Sequence, residues 1–129
     1  MNGIKYLLDT NIILNFLKRD ISVLELFIKK QIKLNECAFS SITRMELLSY
    51  SNLTEIETQA IEKLLSQITY SPITPEIENA TIEFRRLHKT KLPDSIIAAT
   101  AKQYQLELLT LDKKLKRFIF PLPPYPNNK

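Results

Sequence analysis

Asp9, Glu46, Asp94 and Asp112 stand where an ordinary solvated acid does not. Asp9 ends the apolar run Ile4-Lys5-Tyr6-Leu7-Leu8, and Glu46 lies inside Ile42-Thr43-Arg44-Met45-Glu46-Leu47-Leu48. Asp94 follows Pro93 and leads into Ser95-Ile96-Ile97-Ala98-Ala99, while Asp112 follows Leu108-Leu109-Thr110-Leu111. The remaining acids lie mostly among polar or basic neighbours. A carboxylate beside a core-forming segment is costly to bury unless it is paired, hydrogen-bonded or bound to metal. Two carboxylates about 5 Å apart repel by about 3 kcal/mol at an effective dielectric of about 20. Four brought together would take up protons or a cation. Oxygen ligands suit a hard divalent ion, and one or two such ions can activate water and clamp the attacking and leaving oxygens of a phosphodiester.

The elements that must position these acids alternate between strand and helix signals. Ile4 to Leu8 reads as a buried strand and Asn11 to Lys18 as a helix, with Asn11 and Asn15 on one polar line. Ile21, Leu24, Phe27 and Ile28 form a second helical stripe. Leu34 to Phe39 reads as a strand running directly into a helix from about Ile42 to Tyr50. Thr54 with Glu57 gives a capping box ahead of the apolar face Ile61, Leu64, Leu65 and Ile68. Thr74-Pro75 starts another helix, with Ile77, Ala80, Phe84 and Leu87 expected to face inward. Asp94 to Gln105 is predicted as a helix, Leu106 to Thr110 as a strand, and Phe118 to Phe120 as a short edge strand. This alternation predicts an α/β sandwich around a mostly parallel sheet. Sites in such sheets form outside the carboxyl ends of the strands at a topological switch point. Asp9 and Asp112 lie just past predicted strand ends, and Glu46 and Asp94 near helix starts, with both expected along apolar faces.

The totals narrow the class. The chain has 129 residues, 44% hydrophobic and 25% charged, enough for one domain with a real core. One Cys, one His and one Gly leave no disulfide framework within the chain, no Cys and His zinc cluster and no Gly-rich phosphate loop. The start, Met1-Asn2-Gly3-Ile4-Lys5, lacks a leader pattern and no apolar run approaches membrane-spanning length. The expected address is therefore the cytoplasm, without a membrane. A formal charge of +4 and a pI near 9.2 suit a polyanionic partner such as nucleic acid. Cys37 in a strand reads as a small core residue, and His88 at the edge of an apolar face as structural or solvent-facing.

Four segments resemble the signature blocks of PIN-domain ribonucleases, in particular the VapC-type toxins of toxin-antitoxin pairs. They are Leu8-Asp9-Thr10-Asn11, Ile42-Thr43-Arg44-Met45-Glu46-Leu47, Leu92-Pro93-Asp94-Ser95-Ile96-Ile97-Ala98-Ala99-Thr100-Ala101 and Leu109-Thr110-Leu111-Asp112. The resemblance implies a PIN-like three-layer sandwich over residues 1–120, followed by a Pro-rich tail over residues 121–129. It implies Mg²⁺ or Mn²⁺ at the acidic cluster, endonucleolytic cleavage of RNA, a homodimer and a cognate antitoxin that covers the site. Asp9, Glu46 and Asp94 match the three strongest acidic positions and Asp112 the most variable fourth. Thr110 matches a small hydroxyl residue and Asn11 the polar residue two positions after the first acid, both supporting the metal ligands. From their positions, Asp9 is assigned as central ligand, Asp94 as its partner, Glu46 as a ligand or the residue that orients water, and Asp112 as a ligand through water or the anchor of a second metal. Substrate phosphates would be held by Arg85, Arg86, His88, Lys89 and Lys91 before the third block, and by Lys113, Lys114, Lys116 and Arg117 around the fourth.

Each acid also has a purely structural reading. Thr43 and Glu46 fit a capping box, Asp94 an N-cap, Asp9 an Asx turn, and Asp112 a turn acid. The basic run from Arg85 to Lys91 could be a solvated helix end. Two rival functions follow from the same residues: a catalytically silent PIN-like module that binds RNA or protein, and a metal-dependent DNA nuclease.

Overall fold

In the computed structural model, which describes residues 2–118, the chain forms a four-stranded parallel sheet in the order β3-β2-β1-β4. β1 (Tyr6–Leu8) pairs with β2 (Cys37–Ser40) on one side and with β4 (Glu107–Leu109) on the other, and β2 pairs with β3 (Thr69–Ser71). The chain thus moves outward from β1 to β2 to β3, then returns past β1 to lay down β4. The order reverses between β1 and β4. The crevice beyond their carboxyl ends is where a parallel sheet offers room for a site.

Side chains alternate across the strands and divide the core in two. Leu8, Phe39 and Leu109 face one way, against Ile12 and Ile13 of α1 (Thr10–Leu17), Val23 and Phe27 of α2 (Ile21–Lys30), Leu47 of α3 (Ser41–Leu48) and Ile61, Leu64 and Leu65 of α4 (Glu55–Leu65). Leu7, Ala38 and Leu108 face the other way, against Phe84 of α5 (Pro75–His88), Ile97, Ala98 and Ala101 of α6 (Leu92–Gln103) and Leu115 of α7 (Lys113–Lys116). The result is the expected three-layer α/β sandwich. Cys37 lies fully buried in the first core, and burial pushes its thiol up to about 12, which leaves it inert as a nucleophile.

Several local expectations need correction. The inward face of α2 is Val23 and Phe27, while Ile21 and Ile28 are 72% and 76% exposed. The Asp20 carboxylate caps this helix by accepting from the Ser22 and Val23 amides, which sets a register different from that of the apolar stripe. In α5, Leu87 is 71% exposed and Thr81 takes a buried position, donating its hydroxyl to the Ile77 carbonyl. Leu34 to Glu36 is a 3₁₀ turn, so β2 begins only at Cys37. β3 and α7 carry no strong periodicity in the sequence and were not anticipated. Phe118 lies in a turn after α7 rather than in an edge strand; residues 119 and 120, and the Pro-rich segment 121–129, lie outside the described residues. The Thr54 and Glu57 capping box forms as expected, with both reciprocal bonds present. No described helix is long and apolar enough to cross a membrane.

Candidate active site

Asp9 is the first residue after β1 and the N-cap of α1, a position that turns its side chain from the sheet into the crevice beside β4. It is only 7% exposed. Its amide donates to the Leu109 carbonyl at 2.9 Å, extending the β1 and β4 pairing, and its Oδ1 accepts from the Thr10 amide at 2.8 Å. Its Oδ2 accepts from the Thr110 hydroxyl at 2.6 Å and from the Asn11 side-chain amide at 3.2 Å. Thr110 in turn accepts from the Asp112 amide at 3.0 Å, and Asn11 Oδ1 accepts from the Leu111 amide at 2.9 Å. Asn11 and Thr110 therefore clasp the segments after β1 and β4 together around one carboxylate.

Glu46 reaches the same place from α3. The capping reading fails for it, because Ser40 caps that helix and accepts from the Ile42 amide, while Thr43 is fully buried within the first turn. Glu46 lies exposed on the face of α3 turned to the crevice, not along the apolar face expected for it, and its Oε1 accepts from the Thr10 hydroxyl at 2.5 Å. Thr10 also stands 3.2 Å from the Thr43 hydroxyl, so one side chain joins α1 to α3 at the site. Thr10, like Leu14, Ser49 and Tyr50 in the same cavity, has no role assigned from the sequence. Its only sequence signal is its place between Asp9 and Asn11 in the first block.

Asp94 is the third residue of α6, one position after Pro93, and Lys91 rather than Asp94 is the N-cap. Asp112 does cap α7, accepting on Oδ1 from the Lys114 amide at 2.8 Å and the Leu115 amide at 3.4 Å. Capping and facing the site are compatible, because Asp112 lines the central cavity as well. That cavity, about 450 Å³, is bounded by all four acids together with Thr10, Asn11, Leu14, Ser49 and Tyr50. Segments separated by as much as a hundred residues converge on one opening.

The electrostatics follow from this convergence. Burial raises the pKa of Asp9 above its ordinary value, and the charges of Glu46 and Asp112 add to the effect, while the bonds from Thr110 and the Thr10 amide oppose it. Asp94 is raised first by burial and then by Asp112 and Asp9, against partial relief from Lys91 and Lys114. Each of the two acids feels its neighbours as like charges. An all-oxygen set carrying excess negative charge at the end of a rigid sheet fits a hard divalent cation. Among the described residues no three His, Cys, Asp or Glu side chains are grouped tightly enough to hold an ion between them. The arrangement therefore suits an ion that takes one or two carboxylates directly and keeps several waters, as Mg²⁺ does.

The basic residues divide. Lys89, Lys91, Lys113 and Lys114, with Arg117, line a second cleft of about 630 Å³ that shares Asp94 and Asp112 with the central cavity. Arg85 and Arg86 line neither. The Arg85 guanidinium Nε donates to the Thr90 carbonyl at 3.1 Å and closes the turn between α5 and α6. His88 packs at a tilt against Phe84 and Phe118, with ring centroids 4.4 and 4.8 Å away, and does not line either cavity.

The model of the PIN domain family matches residues 6–121, nearly the whole chain. The chain belongs to the PIN domain family. Among solved structures it is similar to a chain of the toxin-antitoxin complex from Klebsiella pneumoniae, at 29% identity over 85% of this chain and 88% of that one, with a TM-score of 0.73. VapBC2 from Rickettsia felis, bound to a DNA fragment from its promoter, matches at 27% identity over 89% and 93% of the two chains, with a TM-score of 0.72. DNA-bound VapBC from Salmonella typhimurium, at 23% identity, 92% and 94% coverage and a TM-score of 0.76, shares the PIN fold. No curated protein matches the sequence.

Proposed function

We propose that this PIN-domain chain is the toxin of a toxin-antitoxin pair and acts in the cytoplasm as a divalent-metal-dependent endoribonuclease. The observation that carries the reading is the convergence of Asp9, Glu46, Asp94 and Asp112 on one cavity at the switch point of a parallel sheet. Similarity to the Klebsiella and Rickettsia complexes supports an antitoxin as partner. A homodimer completes the proposal.

Asp9 and Asp94 would hold Mg²⁺ or Mn²⁺, with Glu46 as a further ligand or the acceptor that orients the attacking water, and Asp112 acting through water or at a second ion. When bound, such ions supply Lewis acidity toward water and the phosphate oxygens. Thr110 and Asn11 fix the orientation of the Asp9 carboxylate, and Thr10 that of Glu46. Lys91 and Lys114, near enough to lower the pKa of Asp94, would attract the substrate phosphate toward the acids.

The purified chain should cleave single-stranded RNA with Mg²⁺ or Mn²⁺ and stop when the metal is chelated. Loss of groups that only orient ligands costs about 10- to 100-fold. Asp9→Asn and Asp94→Asn should therefore lower cleavage by at least about a hundredfold while keeping the fold by circular dichroism. Cleavage that persists in chelator, or variants within a fewfold of wild type, would remove the metal centre from the reaction. A DNA substrate cut as fast as RNA would move the reading to the DNA nuclease.

A further inference from the structure

The two cavities that meet at Asp94 and Asp112 are chemically unlike. The cleft on the α6 and α7 side carries Lys89, Lys91, Lys113, Lys114 and Arg117, and none of these makes an ion pair among the described residues, where the ion pairs are Lys5 with Glu36 and Lys30 with Glu107. The opposite end of the central cavity has no cation in its lining. It is closed by Leu14 of α1, by Ser49, the C-cap of α3, and by Tyr50, the residue that follows that cap. Tyr50 is 48% exposed, and its hydroxyl has no hydrogen-bond partner among the described residues. Tyr70, by comparison, is held against Phe39 and bonded to Ser41. The Tyr50 ring thus stands half exposed in the lining of the cavity that Glu46 shares, with no aromatic or hydrogen-bonding neighbour among the described residues to hold it.

We infer that RNA crosses this centre as an unpaired strand gripped differently on its two sides, by its phosphates in the basic cleft and by one base stacked on Tyr50 at the far end. The inference rests on the nuclease reading above and adds to it a stacking residue, Tyr50, that fixes one nucleotide of the unpaired strand. Aromatic side chains recognise splayed, unstacked bases, and every base offers a π-face to them. Inside a duplex those faces are covered by neighbouring base pairs. A paired strand could still place phosphates among the lysines, but it could not reach Tyr50.

The test is steady-state cleavage of a fluorescent single-stranded oligoribonucleotide of about twelve nucleotides, and of the same strand in a duplex, over a series of salt concentrations. Tyr50→Ala and Tyr50→Leu should each lower kcat/KM about tenfold, through KM, with an unchanged salt slope; Tyr50→Phe should retain near wild-type values. The double substitution Lys113→Ala with Lys114→Ala should instead flatten the logarithmic salt slope by about 1.4, from about 0.7 for each lost phosphate contact. The duplex should be cut poorly by wild type and show no dependence on position 50. If wild type cleaves the single strand while Tyr50→Ala and Tyr50→Leu stay within about twofold of it, the stacking inference falls and the nuclease reading stands. If Tyr50→Phe loses as much as Tyr50→Ala, the hydroxyl and not the ring is responsible, and the inference also falls. Failure of wild type to cleave any strand with Mg²⁺ or Mn²⁺ would overturn the underlying reading itself.

Discussion

Asp94 carries the charge conflict of the site with the least compensation. No hydrogen bond holds its carboxylate among the described residues, and burial, Asp112 and Asp9 raise its pKa against the partial relief of two lysines. In the unfolded chain it titrates near its ordinary value, so between that value and the raised one the folded state binds more protons. Stability therefore falls as pH rises through this window, and the cost is present in full above it. Asp94→Asn removes the cost. In metal-free solution at neutral pH the variant should melt higher by on the order of 2 °C, after allowing for solvent screening of a half-buried charge. The gain should shrink as the pH falls through the raised value and vanish only below the unfolded value of about 4. Equal melting temperatures across that range, followed by calorimetry, would mean that neither burial nor the neighbouring acids act on Asp94. Asp9 is less suited to this experiment, because Asn there would also lose charge-assisted bonds from Thr110 and the Thr10 amide. At this scale the acids were legible because each opens, interrupts or ends an apolar run. Thr10 was not, since a hydroxyl bonded to a side chain 36 positions away has no local pattern.

Between elements, the clasp of Asn11 and Thr110 joins β1 to β4 at the one place where the sheet reverses its order. Thr110 is 5% exposed and serves three partners, donating to Asp9 and accepting from Asn11 and the Asp112 amide. Thr110→Val keeps the shape but leaves a buried carboxylate short of a donor and an amide short of an acceptor. It should cost about 2 kcal/mol, seen as a lower urea midpoint with an unchanged m-value. A loss below about 0.5 kcal/mol would mean that solvent replaces the hydroxyl and that the clasp has little energetic weight. The same scale explains which elements the sequence revealed. β1, α4 and α6 carry long apolar periodicity or explicit caps. β3, with only three residues and an exposed Thr69 and Tyr70, is held as a strand by register with Ala38, Phe39 and Ser40. α7 depends on Asp112 for its cap and on Leu115 for its anchor, so a run of lysines without apolar periodicity becomes a helix by tertiary contact.

Across the whole molecule, binding of a cation to the folded state alone should appear as linkage. At a hundredfold excess over Kd the stabilisation is about 2.7 kcal/mol, several degrees in Tm for a domain of this size. Mn²⁺ should therefore raise the Tm of wild type by several degrees and that of Asp9→Asn much less, with Asp112→Asn intermediate. An identical response in wild type and Asp9→Asn would show that Mn²⁺ binds elsewhere. The sheet order adds a further consequence, one of timing. Among the described residues β4 is the last strand to be laid down, yet it sits beside the first, and Thr110 and Asp112 follow it. During synthesis, β1, β2 and β3 can pair as soon as they emerge, but the centre lacks one wall until residue 112 has been made and docked. A chain interrupted between Asp94 and Thr110 has three of its acids, without the fourth or the threonine that aims the first. The order of strands thus leaves the wall that Thr110 and Asp112 supply to be built only after the other three strands have been made.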